Sequence, residues 1–168
     1  MIPKEYLTFC DTFPLHAPNM VSKVYLLNPH LPSSARKWVI ARAAWDTGAT
    51  ICAVTKDICD RLGLRPFHTE FTRSFDRPEG YEVPLDMVVI NLSKGPYVIS
   101  TPAFVMEKAP DDYDMLIGKN VIASGSLNLK VEGDLINFRL EIDPRYPYLK
   151  KLRTVPEFPE ENPDIPEL

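Results

Sequence analysis

No run of apolar residues in this chain is long enough to cross a bilayer as a helix, and no cationic amphipathic stretch suggests a membrane surface. The opening residues, MIPKEYLTFCDTF, show neither the basic leader nor the continuous apolar segment of a signal peptide, so a cytoplasmic location is the default expectation. Excess basic charge is missing too. The 19 Lys and Arg side chains stand against 23 Asp and Glu, a net charge of −4, which gives no support to nucleic-acid binding. Cys10, Cys52 and Cys59 are an odd number without CxxC spacing, which argues against a disulfide framework and a zinc ribbon. His16, His30 and His68 lack helical i, i+4 partners, so no metal or other cofactor is expected. Repeats of fixed period are absent, which removes solenoids and propellers.

The chain has plenty of proline and of alternation. Its 168 residues suit one domain, and 17 prolines with few long 3.6-period segments point to a mainly β protein with many turns. Strands are expected over residues 20–27, 37–45, 51–54, 81–92, 97–106 and 115–117, followed by a hairpin of 127–131 with 135–142. Pro84 suggests that its strand is an edge or carries a bulge. Thr55 can cap a short helix over 56–62, with Gly63 suited to the position just past its end, and 120–124 can make one helical turn. Residues 1–19 read as an irregular extension, 20–142 as the folded domain, and 143–168 as a proline-rich acidic tail, extended or disordered.

Asp46 stands where the strand 37–45 runs out, in AAWDTGATICAV, between two apolar stretches. An Asp-Thr/Ser-Gly triplet arises by composition in about one chain in twenty of this length, and Asp, Thr and Gly are ordinary turn residues. Its setting gives it more weight, because a second element, DMLIGKNVIASGSLNL at 114–129, repeats the sequence of apolar strand, glycine, short helix and strand further along.

With these two elements, WDTGAT at 45–50 and DMLIGKNVIASGSLNL, the chain resembles the aspartic protease family, most closely its single-lobe, retroviral-type (retropepsin-like) branch, over about residues 20–142. The resemblance implies a closed β-barrel with one or two short helices, assembling as a two-fold dimer. It implies Asp46 as the catalytic residue, with Thr47, Gly48 and Ala49 supporting the catalytic loop. Gly48 would let backbone N–H groups approach the carboxylate, the Thr47 hydroxyl would brace the opposite subunit's loop, and Ala49 would leave room beside the acid. Leu116, Ile117 and Gly118 would form the supporting second motif, with Leu116 and Ile117 in the core and Gly118 permitting close packing beneath Asp46. Trp45 is assigned to the core on size and apolarity.

The implied reaction is hydrolysis of a polypeptide substrate by an activated water between two carboxylates that share a proton. One Asp-Thr-Gly is half of such a site. Asp11-Thr12-Phe13 lacks the glycine, so the partner is expected to be Asp46 of a second copy, in a homodimer. A flap over the cleft would fall in TRSFDRPEGYEV at 72–83, with Phe75, Gly80 and Tyr81 as candidates; an ordinary surface hairpin is the alternative there. For the whole chain, the alternative to a protease is a catalytically silent dimer of the same fold that serves as a binding or assembly module.

Overall fold

The computed structural model describes residues 6–35, 37–65, 68–70, 80–89, 97–109 and 113–151, with 68–70 and 80–89 described as backbone. The strands are β1 (Leu7–Pro14), β2 (Val21–Leu27), β3 (Val39–Trp45), β4 (Cys52–Thr55), β5 (His68–Glu70), β6 (Gly80–Val89), β7 (Tyr97–Met106), β8 (Met115–Ile117), β9 (Gly125–Glu132), β10 (Leu135–Ile142) and β11 (Leu149–Lys151). Two helices, α1 (Lys56–Leu62) and α2 (Lys119–Ile122), join them.

One sheet runs β11-β7-β4-β8-β3-β2-β6-β5, and a further pairing of β6 with β7 closes the run β7-β4-β8-β3-β2-β6 on itself. The expected closed barrel is therefore present. Closure leaves those strands without a free edge, which is how an antiparallel-rich barrel avoids exposing unpaired backbone groups. Alternation drives the filling. In β2, Ser22, Val24 and Leu26 face in, opposite Ala43, Ala41 and Val39 of β3. With Ile99, Met115 and Ile117 they form a core from which water is excluded, each large side chain contributing about 1.5–3 kcal/mol relative to exposure.

A second, three-stranded sheet has the order β1-β10-β9. Its β1 corrects the expectation for residues 1–19: Leu7–Pro14 is a full strand, antiparallel to β10, with Leu7, Phe9 and Phe13 buried. The C-terminal segment is likewise structured in part, because Leu149–Lys151 pairs with Tyr97–Ile99 of β7; residues 152–168 lie outside the described residues. Pro84 does not mark an edge. The β2 ladder on β6 covers 86–89 and the β5 ladder covers 80–82, so Pro84 falls between them, and across β7 it faces Pro102, another residue with no N–H to donate.

Helix α1 forms where expected and buries Ile58, Cys59 and Leu62, with Lys56 paired to Asp60 on the wet side. Thr55 occupies the N-cap position, but its side chain makes no capping bond. At the other end Gly63 adopts φ 63°, and buried Asn28 donates from Nδ2 to the carbonyls of Leu62 and Gly63 at 3.2 and 3.0 Å. That satisfies acceptors a helix end otherwise leaves open. Among the described residues, no helix is long and apolar enough to cross a membrane.

Gly125 starts β9. A Cβ there would lie 1.6 Å from the Glu141 carbonyl oxygen, so the glycine sets how closely β9 can approach β10. Gly125→Ala is expected to lower folding stability by about 1–3 kcal/mol, measured by denaturant unfolding, because backbone has to give way.

Candidate active site

Strands β3 and β8 run parallel and end level. Ala43 pairs with Met115, Ala44 with Leu116 and Trp45 with Ile117, so Asp46 and Gly118 leave the sheet side by side. The Asp46 N–H donates to the Ile117 carbonyl at 3.0 Å, which continues the ladder one step past Trp45. Behind this end, the Arg42 guanidinium clasps Asp114 with Nε to Oδ2 and Nη2 to Oδ1, both at 3.2 Å. The backbone N–H of Arg42 also reaches Oδ2, and the Asp114 N–H returns a bond to the Arg42 carbonyl. Two strands far apart in sequence are thus fixed in register by a bidentate pair.

Beyond Trp45 the chain turns sharply. The Gly48 N–H donates to Asp46 Oδ1 at 2.7 Å and the Ala49 N–H to the same oxygen at 3.2 Å. This is an Asx-type turn in which the acid organises its own loop. A side chain at Gly48 would bring a Cβ to 3.1 Å from that oxygen, so glycine keeps the approach open. Both bonds fall on Oδ1, and among the described residues none is made to Oδ2. Thr47 is exposed and Ala49 half-buried.

The loop rests on the second motif. The Lys119 and Asn120 N–H groups donate to the carbonyls of Ala49 and Thr50 at 2.9 and 3.2 Å. Gly118 makes that contact possible: a Cβ there would sit 2.5 Å from the carbonyl carbon of Ile51. Ile117 is fully buried, whereas Leu116 is half-buried and packs with Ala44, Ala109 and Tyr113. Trp45 is buried against Phe9 and Phe138, as assigned. The flap candidates are brought only partly into view. Gly80 and Tyr81 open β6 opposite Glu70 and Thr69 of β5, while Phe75 lies outside the described residues.

Asn120 is the residue that sequence reasoning missed. Its Oδ1 accepts from the Cys52 N–H at 3.0 Å and the Cys52 thiol at 3.2 Å, and its Nδ2 donates to Thr101 Oγ1 at 2.6 Å and the Pro102 carbonyl at 3.3 Å. The Tyr146 hydroxyl donates to its backbone carbonyl. Through its side-chain amide and its backbone carbonyl, one residue of α2 therefore joins β4, β7 and the segment after β10. The available signal was an amide two residues after LIG, next to Lys119 and ahead of apolar Val121 and Ile122. Beside it, burial pushes the Cys52 thiol up to about 11, outweighing its hydrogen bonds with Gly118, Thr101 and Asn120. Cys52 is therefore a neutral packing group. Among the described residues, no group of three His, Cys, Asp or Glu side chains is placed to hold a metal ion.

Asn120→Ala strands the Cys52 N–H and removes the donor to Thr101 Oγ1, and is expected to cost about 1–3 kcal/mol. A thiol-reagent titration reads the same change: the folded wild type should expose one reactive thiol of its three, Cys10, and the variant should add Cys52.

No family model matches the sequence, and no curated protein matches it. Among solved structures, a retropepsin-like aspartic protease from Rickettsia conorii aligns at 16% identity over 84% of this chain and 99% of its own, with a TM-score of 0.52. The retroviral protease-like domain of Ddi1 from Leishmania major aligns at 16% identity over 71% and 94%, with a TM-score of 0.40. The barrel, the level ends of β3 and β8 and the first of these likenesses together establish a retropepsin-like fold.

Proposed function

We propose that the chain is an aspartic endopeptidase whose site is completed by Asp46 of a second copy. The observation that carries this is Asp46 itself: a carboxylate at the end of a buried strand, with one oxygen held by two backbone N–H groups and the other without a bond among the described residues. Peptide hydrolysis without a covalent intermediate needs one group to take a proton from water and another to give one to the scissile carbonyl. Two carboxylates in contact supply both roles, since like charges so close cannot both ionise. Asp11 is not that second group, because it lies on β1 and accepts from Ser22. Asp114 is engaged by Arg42. With Asp46 from each of two chains, one carboxylate activates the water and the other protonates the substrate.

A place for the second copy is supported by β9. It is the edge of the three-stranded sheet, and Leu129 and Val131 lie opposite Phe138 and Ile136, on the core-facing side. They remain 46% and 57% exposed because nothing described in this chain reaches over them. Antiparallel pairing of two β9 strands about Leu129 would set Leu127 against Val131 and Lys130 against Asn128, with no like charges opposed. Covering this apolar row by a copy also brings a second Asp-Thr-Gly loop to the assembly.

Asp46→Asn is expected to remain a folded dimer by sedimentation and to lose about a hundred- to ten-thousandfold of peptide cleavage. Undiminished cleavage would refute the mechanism. A wild-type dimer that cleaves no peptide in a broad library would instead support the binding-module reading.

A further inference from the structure

Along β1, the residues on the core-facing side are Leu7, Phe9, Asp11 and Phe13, and three of these four are buried and apolar. A carboxylate in that row is costly unless it is bonded. The bond comes from Ser22, whose Oγ donates to Asp11 Oδ2 at 2.6 Å, while the Thr12 N–H donates to Oδ1 at 2.9 Å. Ser22 in turn accepts from the Trp45 indole, Nε1 to Oγ at 2.9 Å. The direction of this chain is fixed by chemistry. An indole N–H can only donate, an ionised carboxylate can only accept, and the hydroxyl between them has one proton to pass on. Ser22 is 3% and Trp45 6% exposed, so water does not compete for the indole–hydroxyl bond, whereas the Asp11 carboxylate at the far end is half-buried.

Trp45 is covalently adjacent to Asp46. Its ring lies 5.3 Å from Phe9 and 4.6 Å from Phe138, centroid to centroid, so the indole joins the barrel to the three-stranded sheet. Across that sheet, Asp11 pairs with Phe138 and Phe138 with Leu129, one row ending at the apolar edge. We propose that Asp11 is a positioning residue for Asp46: through Ser22 it fixes the Trp45 indole, and it thereby couples the three-stranded sheet to the loop that carries the acid. The role rests on the reading of Asp46 as catalytic. The Asp-Thr pair at 11–12, which lacks the glycine of a catalytic loop, thus acquires a different use.

The relay is tested with Asp11→Ala, Asp11→Asn, Ser22→Ala and the double Ala variant, each checked for a cooperative melt. The Trp45 indole N–H resonance, assigned by comparison with Trp38→Phe, reads the network without reference to activity. Asp11→Ala should move that resonance as Ser22→Ala does, although Asp11 does not bond the indole, and the double variant should move it no further. Asp11→Asn keeps an acceptor and should move it less. Per dimer, kcat should fall about tenfold in Asp11→Ala with KM nearly unchanged, and Asp11→Asn should recover most of the loss. An unmoved indole resonance in Asp11→Ala, or a moved resonance with unchanged kcat, would overturn the proposal. If wild type cleaves nothing, the protease reading fails and this role with it; a persisting indole shift would then identify the catalytic assignment, rather than the relay, as the error.

Discussion

The parallel pairing of β3 with β8 sets the height at which the chain leaves the barrel on both sides, with Trp45 against Ile117 and then Asp46 against Gly118. Parallel neighbours cannot be joined by a tight hairpin, so their register has to come from contacts between segments distant in sequence. Arg42 and Asp114 supply it behind the strand ends, and the N–H groups of Lys119 and Asn120 supply it in front, beneath the loop. Gly118 admits the close approach on which the second set depends. If this register slipped by one residue, Asp46 would lose its place at the end of the ladder and one of the two strands would turn its core face outward.

Three polar side chains, one buried and two half-buried, tie together segments that apolar packing would leave free to slide. Asn120 joins β4, β7 and the chain after β10, Asn28 closes the end of α1, and Asp11 reaches Trp45 through Ser22. A bonded polar group in a core adds little net stability, but removing one partner strands the other. Such groups therefore specify one arrangement more than they strengthen it. The proposed chemistry, which requires a carboxylate held in a defined orientation, would draw on that specificity.

Much of the architecture is legible in the sequence. Period-two patterns mark β2, β3, β7 and β10, and the apolar stretch before Gly118 marks β8, because burial on one or both faces leaves its trace locally. The turn at Asp46 and the second motif are legible for the same reason: their residue types answer to backbone geometry in their own neighbourhood. Strand β1 is obscured by Asp11, which interrupts an apolar row at a position whose compensation, Ser22, lies on another strand. Asn120 and the β6–β7 closure are hidden likewise, since their partners are set by the fold and not by neighbours in the chain. Pro84 misleads because its lack of an N–H is accommodated by a gap between two ladders and by a second proline opposite.

On the proposed reading, one Asp-Thr-Gly loop, a carboxylate oxygen without a bond and an apolar strand edge left open among the described residues are half of a symmetric object. The most direct measurement of that claim is the binding stoichiometry of a statine-type inhibitor, which mimics the hydrated peptide between two carboxylates, titrated against a known concentration of chains. The account predicts saturation at one inhibitor per two chains, on a dimer. Saturation at one inhibitor per chain, on a monomer, would contradict it.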